Sequence, residues 1–135
     1  MVQSAYVFAA VGSTGLAADL LKIVFGRARP KLLFLDGYYG FQPLAFHADY
    51  WSLPSGHATT AGAVGMALFM LWPRYWPFYL GFAAFVAISR VIITVHYLSD
   101  ALFGLYLGAL GSCVMVWLWE RRGYPLHGAN EGSFS

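Results

Sequence analysis

The chain has 135 residues, of which 59% are hydrophobic and only 10% charged, with a formal net charge of +2. Soluble globular domains carry about 25% charged residues, so this composition disfavours a soluble protein with buried helices, which is the minor alternative. The single cysteine, Cys113, excludes an internal disulfide. We expect no metal, no cofactor and, because no nucleic-acid-binding motif is present, no nucleic acid.

Four apolar stretches predict an all-α transmembrane bundle with four spans. They cover residues 5–25, 55–72, 75–95 and 101–119, and the second is close to the lower limit of about 17 residues for crossing a bilayer. No basic segment precedes the first stretch, so we expect it to remain in the protein and not to be cleaved as a signal peptide.

The connections between these stretches carry their own signals. Pro30 is predicted to close the first helix. Residues 31–53 form the one long loop, whose many aromatic side chains indicate packing at a membrane interface. Residues 73–77 predict a very tight connection, and Gly104 and Gly108 form a GxxxG pattern that favours close contact between helices.

Charged side chains at the end of the first helix are candidates for anion binding. A charge inside a membrane helix costs free energy, so its default interpretation is a functional one. Lys22 and Arg29 are seven residues apart and would share one helical face. Two cations there can clamp an anion, and snorkelling to lipid headgroups is the alternative. Asp19 is expected to pair with Lys22 as structural support.

The second helix is predicted to begin at the string Pro54-Ser55-Gly56-His57. Ser55 can cap the helix and Gly56 lets a ligand approach the backbone. Such a helix end binds phosphate through free N–H groups and the helix dipole. The alternative is an ordinary capped helix with an interfacial histidine.

A second histidine lies where the third stretch ends. If the helix continued, Ser89, His96 and Asp100 would share one face; otherwise Asp100 would meet His96 across the short turn, with Ser99 or Asp100 capping the last helix. A carboxylate on one imidazole nitrogen fixes the tautomer and makes the other nitrogen more nucleophilic. Arg90 can bind an anion with its guanidinium fork. The alternative is a structural capping pair of histidine and aspartate.

These groups are expected to converge, because alternate helix ends meet at the face opposite the termini. Cations, a helix N-terminus and two histidines suit phosphoryl transfer, which needs charge neutralisation, a nucleophile and a general acid. The sequence contains no cluster of carboxylates that would indicate a Mg²⁺ site. The basic side chains would therefore neutralise the phosphate charge in place of a metal ion.

The three strings resemble the motifs of the type 2 phosphatidic acid phosphatase (PAP2) superfamily, which also contains the vanadium haloperoxidases. The family pattern is a lysine, six residues and Arg-Pro, then Pro-Ser-Gly-His, then Ser-Arg, five residues, His, three residues and Asp. Every spacing is kept by Lys22, Arg29, Pro30, Pro54, Ser55, Gly56, His57, Ser89, Arg90, His96 and Asp100.

The resemblance implies a metal-independent phosphatase of lipid phosphates or isoprenoid pyrophosphates. His96 would attack phosphorus and form a phosphohistidine, Asp100 would orient and activate His96, and His57 would protonate the leaving oxygen and then help to activate water. The phosphoryl oxygens would be held by Lys22, Arg29, Ser55, Gly56 and Arg90. Residues 1–122 would be a PAP2-like transmembrane phosphatase domain and residues 123–135 a polar tail.

One departure from the family pattern affects the functional prediction. Membrane members usually have six helices, two of them before the lysine motif, so we expect a fragment, a mis-set start or a compact four-helix form. The alternative function is a non-catalytic remnant or a lipid-headgroup-binding membrane protein. A haloperoxidase is disfavoured because a soluble helical scaffold is lacking, and a transporter because paired broken helices are lacking.

We predict an integral protein of the bacterial inner membrane, with the site facing the periplasm or exterior and both termini in the cytoplasm. The positive-inside rule favours this orientation through Arg74, Arg121 and Arg122. The same rule favours the reverse orientation through four cations on the opposite side, Lys22, Arg27, Arg29 and Lys31. The lipid substrate and the oligomeric state stay open, although a homodimer would suit so thin a bundle.

Overall fold

A computed structural model describes residues 1–126 of the chain. It contains five α-helices: α1 (Val2–Phe25), α2 (Pro30–Asp36), α3 (Gly56–Leu71), α4 (Trp76–Ile92) and α5 (Leu98–Arg121). Ala48–Tyr50 and Pro73–Tyr75 are 3₁₀ turns, and the second forms the tight connection predicted at residues 73–77. No strand occurs in residues 1–126, which confirms the all-α class. Most of the predicted tail lies outside the described residues.

Three segments are long and apolar enough to cross a membrane, namely Val2–Phe25, Pro73–Ile92 and Leu98–Arg121. The fourth apolar helix, α3, has only 16 residues, below the usual minimum of about 17 for a span. The structure therefore supports a helical membrane bundle, with three candidate spans in place of the four expected.

The first helix ends earlier than predicted. It stops at Gly26, which adopts a left-handed conformation with φ 58°. A Cβ at this position would lie 1.7 Å from the carbonyl oxygen of Gln42, so the backbone approach requires glycine. Pro30 does not close α1 but opens α2, where its missing N–H costs no hydrogen bond. Arg29 therefore does not share a helical face with Lys22, and that prediction was wrong.

The prediction for residues 75–95 was also too long. The helix ends at Ile92 and the chain reverses through Thr94, which has φ 57°. His96 therefore lies in the turn and not on one helical face with Ser89 and Asp100. The last helix begins at Leu98 with Tyr97 as its N-cap, so the prediction of Ser99 or Asp100 at that position was wrong. Asp100 lies one turn into the helix, and its carboxylate accepts a hydrogen bond from the Tyr97 amide at 2.8 Å.

Small residues bring α3 and α5 into backbone contact. A Cβ at Gly104 would lie 2.7 Å from the Ser55 carbonyl oxygen, and one at Gly108 would lie 2.1 Å from that of Thr59. Gly62 on α3 meets Leu105 of α5 in the same way. The GxxxG prediction is thus confirmed, since these glycines allow the two helices to pack without intervening side chains.

The helices are arranged so that the first and last described residues of the bundle lie at one end. The Tyr6 hydroxyl, near the start of α1, donates to the Ser112 carbonyl in the second half of α5 at 3.1 Å, and Tyr6 belongs to one cluster with Trp119 and Leu126. At the opposite end, the rings of Phe25 and Phe103 are 6.5 Å apart. The end of α1 and the beginnings of α3 and α5 therefore meet at this opposite end, called here the site end.

Candidate active site

All eight residues predicted for the site lie at or near the site end. They occupy the last turn of α1, the segment before α2, the start of α3, the last turn of α4, and the turn into α5 with the first turn of that helix. In that order the residues are Lys22; Arg29; Ser55, Gly56 and His57; Arg90; and His96 and Asp100.

The Lys22 ammonium lies over the beginning of α3. Its Nζ is 2.8 Å from Asp19 Oδ1, which confirms the predicted pair. A Cβ added to Gly56 would lie 3.1 Å from the same Nζ, so glycine leaves the space that the ammonium uses. A cation is thereby placed beside the N-terminus of a helix, where anions are also attracted by free N–H groups and the helix dipole.

Ser55 is completely buried and caps α3, as predicted. Its Oγ accepts a hydrogen bond from the Ala58 amide at 3.4 Å, and its own amide donates to the Asp100 carbonyl at 3.1 Å. The second bond joins the start of α3 to the first turn of α5. The side chain of His57 follows on the exposed side of α3.

Arg29 and Arg90 are partly buried cations without a carboxylate partner. Among residues 1–126 neither forms an ion pair, and the Nε atom of each is buried without a hydrogen bond. Burial lowers the pKa of Arg29; Asp49 opposes this shift, and the nearby Arg90 adds to it. Two such guanidiniums form an arrangement that an oxyanion would stabilise through charge-assisted hydrogen bonds.

The His96 ring is held in one orientation. The side chain is 5% exposed, and Nδ1 lies 2.7 Å from the carbonyl oxygen of Ser52. Because a carbonyl can only accept a hydrogen bond, Nδ1 carries the proton and Nε2 keeps its lone pair. Burial lowers the pKa of His96 to about 4, although the bond to Ser52 opposes this shift. The imidazole is therefore neutral at pH 7.

Asp100 is fully buried and does not hydrogen-bond directly to His96, in contrast to the predicted meeting across the turn. Its Oδ1 lies 2.5 Å from Arg27 Nη1, and its Oδ2 accepts from the Tyr97 amide and the Ser52 hydroxyl. The carboxylate therefore reaches the imidazole through Ser52, whose hydroxyl it binds and whose carbonyl faces Nδ1.

Two residues of this network, Arg27 and Ser52, were not predicted as site residues. Arg27 carried a signal, because it is a further charge close to the lysine motif. Ser52 carried none, since a serine in a loop is unremarkable in sequence. In the part of the chain that the structure describes, no group of three or more His, Cys, Asp or Glu side chains is placed to hold a metal ion.

An apolar groove of about 650 Å³ opens beside these polar groups. Lys22, Gly56 and His57 lie at one end of it. The remainder runs between α1, α3 and α4 and is lined by mostly apolar residues, including Gly15, Ala61, Val64, Phe82 and Val86. A molecule with a charged head and an apolar chain would fit a groove that is polar at one end and apolar along the rest of its length.

The comparisons with known proteins agree with the motifs. The family model described as the PAP2 superfamily matches residues 3–124. The lipid A 1-phosphatases of Rhizobium etli and Rhizobium johnstonii are each 38% identical over 128 residues, which cover 95% of this chain and 55% and 52% of those proteins. An Escherichia coli protein provisionally named an undecaprenyl-diphosphatase is 34% identical over 83 residues, 60% of this chain and 41% of its own length.

The chain spans about half the length of the lipid A 1-phosphatases that it matches. No solved structure matches it significantly.

Proposed function

Because the chain belongs to the PAP2 superfamily, we propose that it is a membrane phosphatase that hydrolyses lipid phosphates or isoprenoid pyrophosphates through a phosphohistidine. The observation that carries this proposal is the placement of Arg29 and Arg90. Both are partly buried cations without a carboxylate partner among residues 1–126, beside a neutral imidazole with a free Nε2. A phosphoryl group would supply the missing negative charge and would face a nucleophile.

In the first step, His96 Nε2 attacks phosphorus and the bond to the leaving oxygen breaks. The neutral state of the imidazole at pH 7 supports this role, because only the unprotonated nitrogen has an electron pair to donate. His57, exposed at the edge of the same groove, protonates the leaving oxygen. Burial, Arg90 and Lys22 lower the pKa of His57 in the free protein, and the negative charge of a bound phosphate raises it again, so His57 carries its proton when the substrate is bound. In the second step water attacks phosphorus and gives its proton to His57, and the bond between phosphorus and His96 Nε2 breaks, which releases phosphate and frees the imidazole.

The phosphoryl oxygens are bound by the cations and the start of α3. Arg29 and Arg90 provide guanidinium forks, Lys22 provides a point charge over Gly56, and Ser55 with Gly56 provides the helix N-terminus. We propose that this charge replaces a metal ion in the reaction. Asp100 supports His96 through Ser52.

The apolar groove beside Lys22 and His57 supports a lipid substrate, because the apolar chain of a lipid could lie in it while the phosphate meets the cations. The names of the Rhizobium relatives make a lipid A 1-phosphate the first candidate, and the Escherichia coli relative adds an undecaprenyl diphosphate. We place the site on the periplasmic side of the inner membrane and the two termini in the cytoplasm.

The test is phosphate release by the purified protein in detergent with EDTA present. The substrates are a lipid A 1-phosphate, undecaprenyl diphosphate, phosphatidate and phosphatidylglycerophosphate. We expect turnover of at least one substrate, loss of about 10³-fold or more in His96→Ala, because the nucleophile is removed, and a smaller loss in His57→Ala.

The matched control is His47→Ala, which removes an exposed histidine of the loop and is expected to retain full activity. Release that survives in His96→Ala would contradict the nucleophile assignment. Loss of activity with EDTA and its return with Mg²⁺ would contradict the metal-free chemistry. No release from a folded sample would favour a lipid-headgroup-binding role.

A further inference from the structure

Ser52 connects the proposed nucleophile, His96, with Asp100 and with the main chain of Arg27. Its amide donates to the Arg27 carbonyl at 3.1 Å, its carbonyl accepts from His96 Nδ1 at 2.7 Å, and its hydroxyl donates to Asp100 Oδ2. The residue is fully buried. All of its hydrogen-bonding groups are thus used, and its position depends on partners from two other parts of the chain.

The side chain of Arg27 fixes Asp100 from the other side. Nη1 donates to Asp100 Oδ1 at 2.5 Å and to Ser99 Oγ at 2.7 Å, and Nη2 donates to the Tyr39 hydroxyl at 3.2 Å. The guanidinium carbon also lies 4.4 Å from the centre of the Tyr97 ring. Hydrogen bonds and cation–π contacts of this kind hold a buried arginine in one conformation.

This environment separates Arg27 from the other cations of the site. Both of its Nη atoms are already bound to protein groups, and only 8% of the residue is exposed. Arg29 and Arg90, in contrast, have no hydrogen-bonded partner for their side chains in the described residues. Arg27 is therefore placed to hold the Asp100 carboxylate and not to bind a phosphoryl group.

We propose that Ser52 and Arg27 are positioning residues, which hold the His96 imidazole with Nδ1 protonated and Nε2 directed for attack. This inference rests on the proposed function for its chemistry. The tautomer of a histidine is set by the hydrogen bond that its other nitrogen makes. Here that bond is made by the main-chain carbonyl of Ser52, whose position is supported by Asp100 through the Ser52 hydroxyl and, in turn, by Arg27 through Asp100.

The kinetic test uses variants that weaken the network and leave His96 intact. Ser52→Ala removes the hydroxyl but keeps the carbonyl, Arg27→Lys keeps the charge without the fork, and Arg27→Met removes the charge. We expect kcat to fall about 10- to 100-fold in Ser52→Ala and Arg27→Met, the range typical of residues that orient a functional ligand. KM should change less than about twofold, since the phosphate-binding groups remain. Arg27→Lys should recover part of the loss.

Matched controls separate positioning from a general effect on the bundle. Arg74→Met removes an exposed arginine at the opposite end, and Ser13→Ala removes an exposed serine hydroxyl on α1. Both are expected to retain the wild-type kcat. A rise in KM at constant kcat in the Ser52 and Arg27 variants would overturn the inference, because it would assign these residues to substrate binding.

The second readout does not depend on turnover. In protein labelled with ¹⁵N-histidine, and with His96→Ala used for assignment, wild-type His96 should show a protonated Nδ1 and an unprotonated Nε2. Ser52→Ala and Arg27→Met should show mixed tautomers. An unchanged tautomer and unchanged kcat in these variants would overturn the inference. A held tautomer in a wild-type protein that releases no phosphate would support the positioning role while the proposed function fails.

Discussion

At the scale of single residues, His96 is subject to opposing effects. Burial lowers its pKa to about 4, and the positive charges of Arg29 and Arg90 act in the same direction. The hydrogen bond to Ser52 and the charge of Asp100 act against them. Burial prevails because a charged imidazole would lose its hydration without gaining a direct carboxylate contact.

This balance predicts an abnormal titration of His96. The ring should stay neutral as the pH falls through 6.5, the ordinary value, and should take up a proton only near pH 4. Between these values the unfolded state binds more protons than the folded state, so stability is highest above pH 6.5 and falls as the pH falls towards 4. Histidine NMR in detergent, with His96→Ala for assignment, measures the pKa; titration near pH 6.5 would contradict the burial argument.

The sequence was sufficient to predict that Lys22, His57 and His96 gather at one end of the bundle, because each lies at the end of an apolar stretch. It was not sufficient to predict how they are connected. Asp100 reaches His96 through Ser52, which is distant from both in sequence and belongs to a loop without periodicity. Contacts of that kind depend on where the loop lies after folding, which a motif does not record.

At the scale of helices, the contact between α3 and α5 depends on the absence of side chains. The glycines predicted to allow close contact do so, and the site residues Ser55 and Asp100 are joined at its end by a main-chain hydrogen bond. Helix ends were harder to predict than helices. Gly26 ends α1 in a left-handed conformation, and a left-handed Thr94 follows the end of α4, inside a stretch of apolar residues that gives no sign of a turn.

Gly108→Ala should destabilise the protein. The new Cβ would lie 2.1 Å from the Thr59 carbonyl oxygen and 2.5 Å from the Ala63 amide nitrogen, both backbone atoms of α3. Overpacking of this kind costs about 1–3 kcal/mol, so the midpoint of thermal unfolding in detergent should fall. Circular dichroism at a helix band measures the midpoint.

The matched control for this variant is Gly81→Ala on α4. A Cβ there would meet nothing within 4 Å, and alanine is the better helix former by up to about 1 kcal/mol. Its unfolding midpoint should stay the same or rise. An equal fall of the unfolding midpoint in the two variants would contradict the argument that the α3–α5 contact requires glycine.

At the scale of the whole molecule, the bundle separates its two ends. Chain regions near residues 1 and 121 lie together, and the site end carries the loop that follows α2, whose exposed aromatic side chains include Tyr38, Tyr39 and Phe46. Aromatic residues in such positions are typical of contact with the interfacial region of a bilayer. The proposed orientation places this loop at the outer leaflet.

Cysteine labelling tests that orientation. In a Cys113→Ala background, Gln3→Cys and Asp36→Cys each place one exposed cysteine, at opposite ends of the bundle. In intact spheroplasts we expect a membrane-impermeant maleimide to label Asp36→Cys and to reach Gln3→Cys only after the membrane is permeabilised. Equal labelling of the two variants from outside would contradict the separation of the ends, and the reverse pattern would invert the orientation.

The glycine contact between α3 and α5 has a consequence for how this protein can change over evolutionary time. The main chains of α3 and α5 are in direct contact there. Substitutions on the lipid-facing surfaces therefore do not change the distance between the start of α3 and the start of α5. Exposed apolar residues such as Phe85 and Leu102 can be replaced by other hydrophobic residues. Larger residues cannot replace Gly62, Gly104 or Gly108 without separating the two helices. Residues that line the groove can thus be replaced while the proposed phosphate site keeps its dimensions.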